Sequence, residues 1–126
     1  MKLCVSSTGK DLDSKVAEHF GRAPYFLIID TDTMDFSVAE NSAQVTGRGA
    51  GTSAAQMILD KSAAAVITGR IGPHAFSALE VAHVEIYEGA SGNDTVRGAV
   101  EKFKRGEYRE SVAPTGGPGR GRGFEG

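Results

Sequence analysis

The chain has 126 residues, 40% of them hydrophobic, a formal net charge of −2 and a pI near 5.9. That length and apolar content suffice for one sizeable core, and the charge balance supplies no global basic field for nucleic acid or an anionic membrane. No run approaches the ~18 consecutive apolar residues of a membrane span, the stretch Met1 to Ser7 is strand-like rather than leader-like, and the single cysteine, Cys4, excludes an intrachain disulfide or an all-cysteine metal site, so a cytoplasmic protein is expected.

In chain order, Leu3-Cys4-Val5 predicts a first strand, with Ser6-Ser7-Thr8-Gly9-Lys10 as the loop at its carboxyl end. Leu12, Val16 and Ala17 fall at helix-like spacing between Asp11 and His19, which reads as a short helix or turn. Tyr25-Phe26-Leu27-Ile28-Ile29 is a strong strand, joined by the turn cluster Asp30-Thr31-Asp32-Thr33 to a weaker strand from Met34 to Glu40, and the two make a hairpin. A polar loop from Asn41 to Gly51 precedes a helix capped at Thr52 or Ser53 and running to Lys61. Ala64-Ala65-Val66-Ile67-Thr68 is the next strand. It ends at Gly69-Arg70-Ile71-Gly72, and Pro73 suits the first turn of a helix carrying Phe76 and Leu79. Val84-Glu85-Ile86-Tyr87 closes the set of strands, and Asn93 or Asp94 caps a last helix with Val96, Ala99, Val100 and Phe103 on one face. Past Gly106 order is expected to decay, and the glycine- and proline-rich stretch from Pro114 to Gly123 cannot bury enough apolar surface to offset its chain entropy, so residues 1–106 read as the domain and 107–126 as a flexible tail.

Strands alternating with helices require right-handed crossovers and a mainly parallel sheet, into which the hairpin inserts one antiparallel strand. The expected architecture is α/β, a five-stranded mixed sheet in the order 3-2-1-4-5 with helices on both faces. Strands 1 and 4 then form the topological switch, whose carboxyl ends are the usual place for a ligand in an open sheet.

Around that switch the chemistry-bearing residues gather. His19-Phe20-Gly21-Arg22-Ala23-Pro24 combines an imidazole, a glycine that lets the main chain approach a ligand and a guanidinium fork for oxyanions. The same residues would equally serve as a plain turn ending a short helix. Thr8-Gly9-Lys10 lacks the glycine and hydroxyl that a phosphate loop needs where Cys4 and Asp11 stand, and Gly47-Arg48-Gly49-Ala50-Gly51 follows too weak a strand for a dinucleotide loop. Cys4 and Ser6 occupy first-strand positions where a two-metal nuclease needs carboxylates. No nucleophile–base pair is visible. His19 and His74 share one predicted edge and could converge on a metal, His83 lies at the opposite end, and Cys4 reads as a buried thiol. Asn93-Asp94-Thr95 is a helix cap rather than a glycosylation acceptor, and Arg120 and Arg122 make a sparse example of an RNA-binding Gly/Arg segment.

Ser6 to Asp13, His19 to Phe26, Val66-Ile67-Thr68-Gly69-Arg70-Ile71-Gly72-Pro73-His74-Ala75 and Phe103-Lys104-Arg105-Gly106 together resemble the dinitrogenase iron-molybdenum cofactor biosynthesis family, which includes NifX-like proteins and the C-terminal domain of NifB-like proteins. The likeness spans residues 1–106 and implies a ribonuclease H-like fold and non-catalytic binding and transfer of iron–sulfur cofactor precursors. Two departures stand out: the loop from Asn41 to Gly51 has none of the His or Cys residues common there in the family, and His74 replaces a small polar residue. On this reading the ligand-binding set is Ser6, Gly9, His19, Phe20, Gly21, Arg22, Gly69, Arg70, Gly72 and His74, with His19 and His74 as the metal ligands. The cargo is an iron–sulfur or iron–molybdenum cluster precursor or a related small anion, and the partners are cofactor-assembly or iron–sulfur proteins. Neither nucleic acid nor membrane is among them, and self-association is left open. The alternative is a regulatory interaction domain with no ligand of its own.

Overall fold

In the computed structural model, residues 1–41 and 50–113 are described. Strands β1 (Lys2–Ser7), β2 (Tyr25–Asp30), β3 (Phe36–Glu40), β4 (Ala65–Ile67) and β5 (Glu85–Tyr87) form one sheet in the order β3-β2-β1-β4-β5, as expected. Helices α1 (Ala50–Asp60), α2 (Pro73–Val81) and α3 (Val96–Lys104) alternate with the later strands, and a 3-10 turn covers Phe20–Arg22.

The expectation of a mainly parallel sheet with one antiparallel strand needs correction. β2 runs against both neighbours, so the β1–β2 and β2–β3 ladders are antiparallel, and they are longer than the parallel β1–β4 and β4–β5 ladders. Parallel neighbours need a crossover, usually helical. The segment between β1 and β2 forms no α-helix, and the chain simply returns beside itself.

That segment is also where the expected helix-or-turn from Asp11 to His19 resolves as turn followed by extended chain. The Asp11 carboxylate accepts from Asp13 N at 2.9 Å, and Ser14 Oγ accepts from Asp11 N at 3.3 Å, local bonds that compete with a helix. Beyond them Val16 N donates to Asp94 O and Ala17 N to Ser6 O, so the backbone pairs sideways and has no donors left for i−4 carbonyls. Other boundaries move by a few residues. β1 continues through Ser6 and Ser7, β3 begins after Met34, which sits at φ 66°, and α1 begins at Ala50. Thr95, not Asn93 or Asp94, caps α3 by accepting from Gly98 N at 3.0 Å, while Asp94 pairs with Lys102 at 2.8 Å.

Strand alternation sorts the core into two layers. Cys4, Phe26, Ile28, Val66 and Ile86 face α1 and α2 through Ala54, Ala55, Ile58, Ala75, Phe76 and Leu79. Leu3, Val5, Leu27, Ile29 and Ile67 face α3 through Val96, Ala99 and Val100. β1 and β2 are buried on both faces, alternate side chains packing against helices on opposite sides of the sheet. Beyond α3, Ser111 N donates to Ile86 O at 2.7 Å and Glu110 bridges Tyr87, so the first part of the expected tail lies against β5. The loop 42–49 and the tail 114–126 lie outside the described residues.

Candidate functional site

The carboxyl end of β1, the turn at Phe20–Arg22 and the loop after β4 meet along one edge of the sheet. His19 and Arg70 form a parallel bridge, Arg70 N donates to Glu18 O at 2.7 Å, and Phe20 N donates to Arg70 O at 3.0 Å. The two sequence signatures, far apart in the chain, thus share a short backbone ladder. Arg22 follows three residues after His19, at the end of the 3-10 turn, and His74 lies in the first turn of α2, four residues past Arg70. His19, Arg22, Arg70 and His74 are all exposed, and none of them makes a side-chain hydrogen bond or ion pair with another described residue.

The remaining expected residues divide by role. Ser6 is fully buried, its hydroxyl donating to Ala17 O at 2.6 Å and lying 2.8 Å from Thr68 Oγ1, so it pins β1 to the incoming loop and to β4. Phe20 is 1% exposed and its ring stands 5.1 Å from that of Phe26, which makes it a core residue. Gly9 lies where a side chain would run into the Ser14 hydroxyl. Gly69 has a firmer reason to be glycine: a Cβ there would stand 2.5 Å from Glu18 O and 2.8 Å from Glu18 Cα, so the His19–Arg70 bridge requires a bare backbone at this point. Gly72 has no such reason. It is the N-cap of α2 at φ −78°, within reach of ordinary residues, and a Cβ on it would meet nothing within 4 Å. Open space and a helix start without side-chain cap thus coincide at Gly72, which stands between Arg70 and His74 in the chain.

Several organising residues carry no local sequence signal. Glu18 accepts from Gly92 N at 2.6 Å, tying the loop before α3 to the site. Asn41, fully buried, donates from Nδ2 to Ala23 O at 2.7 Å and to Gly21 O at 3.4 Å, and its N–H donates to Pro24 O at 2.9 Å. It holds the Gly21–Pro24 turn in shape across 18 residues of sequence. Glu88 accepts from Ile71 N at 2.9 Å, and Gly89, at φ 93°, donates to Gly69 O at 2.8 Å. Gly69, Arg70, Glu88, Gly89 and Ser111 line an open depression of about 470 Å³ beside the bridge.

The donor set bears on what the edge could hold. Cys4, the chain's single cysteine, is fully buried with its thiol pushed far above the usual thiol range by desolvation. No group of three His, Cys, Asp or Glu side chains converges among the described residues. A cofactor ligated by protein thiolates therefore does not fit this site. Guanidinium, imidazole and free backbone N–H groups are the kinds of group that meet an anion.

Three comparisons bear on the family. The family model described as dinitrogenase iron-molybdenum cofactor matches residues 1–106. An uncharacterized protein of Methanocaldococcus jannaschii is 27% identical over 101 residues, which is 73% of this chain and 86% of that protein. Among solved structures, the apo form of the orange protein from Desulfovibrio gigas is 34% identical with a TM-score of 0.88, covering 91% of this chain and 96% of its own. A putative NifB protein from Thermotoga is 30% identical with a TM-score of 0.73, covering 91% and 98%. The matched span holds both signatures and the edge they build, and the chain is a member of the dinitrogenase iron-molybdenum cofactor family, of NifX-like type.

Proposed function

We propose that the protein is a non-catalytic cytoplasmic carrier that holds a preassembled anionic iron–sulfur or iron–molybdenum-type cofactor precursor at the His19–Arg70 edge and passes it to cofactor-assembly proteins. The observation that carries this reading is the backbone bridge between His19 and Arg70, which brings the two signatures together; Arg22 and His74 follow these residues in the chain, and all four side chains are exposed with no carboxylate partner among the described residues. Arg22 and Arg70 balance the charge of the cargo, His19 and His74 supply nitrogen donors, and the open N-terminal turn of α2 at Gly72 contributes main-chain N–H groups. Family membership supports the cofactor context, and the description of a structural neighbour as an apo form supports a ligand-holding role. The sheet order accords with a ribonuclease H-like arrangement, which we take as part of the same reading.

Anaerobic loading with ferrous iron, sulfide and molybdate, followed by desalting, metal analysis and ultraviolet–visible spectroscopy, tests it. Wild-type protein should retain metal with a charge-transfer spectrum, and His19→Ala should retain much less at an unchanged melting temperature, because an exposed loop side chain contributes little to the core. Wild-type protein that emerges without metal overturns the proposal. Equal retention by a folded His19→Ala variant removes His19 from the site.

A further inference from the structure

The two edges of the sheet are finished differently. At β5 the segment after α3 covers the edge through Ser111 N to Ile86 O and the Tyr87–Glu110 bridge. At β3 no described residue pairs with the outer edge, since every ladder bond of the strand goes to β2. Free edges are ordinarily blunted by lysine, proline, a bulge or very short length. β3 is five residues, Phe36-Ser37-Val38-Ala39-Glu40, with none of these devices and one charge, at its end. Phe36 and Val38 are 40% and 38% exposed. Their register partners Ile29 and Leu27 place them on the α3 side of the sheet, so they prolong an apolar layer past its last covered strand.

We propose that β3 is a self-association edge: a second copy of the chain pairs its own β3 antiparallel to this one about a two-fold axis at Val38, joining two five-stranded sheets into one. An isologous strand pair is necessarily antiparallel, and its register follows from the side chains. Centred on Val38, the pairing sets Val38 against Val38, Ser37 against Ala39 and Phe36 against Glu40, so no like charges oppose one another and Phe36, Val38 and their symmetry mates form one apolar stripe across the seam. Centring on Glu40 would oppose two carboxylates. Centring on Phe36 would place the positive-φ Met34 opposite Val38 and break the ladder. The Phe36 end of each strand would meet the Glu40 end of the other, so the two His19–Arg70 edges, which lie at the end where β2 begins opposite Glu40, stay apart and accessible. This inference stands independently of the cargo proposed above.

Sedimentation velocity over a concentration series, with charge variants on the axis, tests it. Wild-type protein should show a reversible monomer–dimer equilibrium. Val38→Lys and Val38→Glu should each weaken it roughly five-fold or more by opposing like charges. An equimolar mixture of the two variants should recover a heterodimer, a result that only self-pairing at position 38 produces. Both variants should keep the wild-type circular dichroism, Val38 being a partly exposed residue on an edge strand. Phe36→Lys, two positions away on the same face, gives a second disruption if either variant is poorly folded. A wild-type protein that stays monomeric at the highest concentrations overturns the proposal. So does a dimer untouched by both Val38 variants, which would put the interface elsewhere, or a mixture that fails to re-associate.

Discussion

Gly69 and Gly72 stand three residues apart in one signature, yet the structure gives them opposite reasons to be glycine. At Gly69 the backbone of Glu18 passes so close that a methyl group would stand 2.5 Å from a carbonyl oxygen. At Gly72 the backbone is ordinary and the surrounding space is empty. A short motif can thus mix residues that build a site with residues that leave room in it. The same division runs through the partner signature, where Phe20 is core and His19 and Arg22 face outward.

Substitutions can break or sharpen that division. Phe20→Ala removes a fully packed ring from the layer under α1 and should cost about 3–5 kcal/mol, read as a large fall in the denaturant midpoint; a cost near zero would return Phe20 to the ligand-facing set. Gly69→Ala should cost about 1–3 kcal/mol by overpacking against an unyielding backbone, and should speed exchange of the Arg70 and Phe20 amides as the bridge opens. Asn41→Ala, which strips the brace from the Gly21–Pro24 turn and frees the Ala23 carbonyl, should cost about 1–3 kcal/mol, measured by thermal unfolding. Gly72→Ala sets two small terms against each other, the poorer N-cap and the stiffer unfolded chain, and should stay within about 0.5 kcal/mol of wild type while lowering retention of loaded metal. A large destabilisation at Gly72, or none at Gly69, would erase the distinction between the two glycines.

How far the site could be read from sequence depended on the range of the interactions. The apolar run Tyr25–Ile29, the succession of strands and helices along the chain and the spacing of Val96, Ala99 and Val100 are local patterns, and they specified the sheet order and the buried face of α3 correctly. His19 and Arg70 were legible as neighbours because both loops leave adjacent strands. Glu18 reaching Gly92, Asn41 reaching Ala23 and Ser6 reaching Thr68 were not, since each is a single polar side chain meeting backbone or hydroxyl far away in sequence. Ser6 and Phe20 were placed with the ligand because the motif containing them was read as one unit. Folding assigns side chains one at a time: on β1, Ser6 points inward to Thr68, and Phe20 turns under the sheet while its neighbour His19 stays exposed. The contact of Ser111 with β5 was not legible either, because it rests on a backbone bond to Ile86 that composition does not register.

The most direct test of the account is amide-resolved NMR of the protein before and after anaerobic loading with ferrous iron, sulfide and molybdate. Shifts or line broadening should concentrate at residues 19–22 and 69–74, with β3 and the far end of the sheet unchanged. Perturbations that spare His19, Arg70 and Gly72 and gather elsewhere would contradict it.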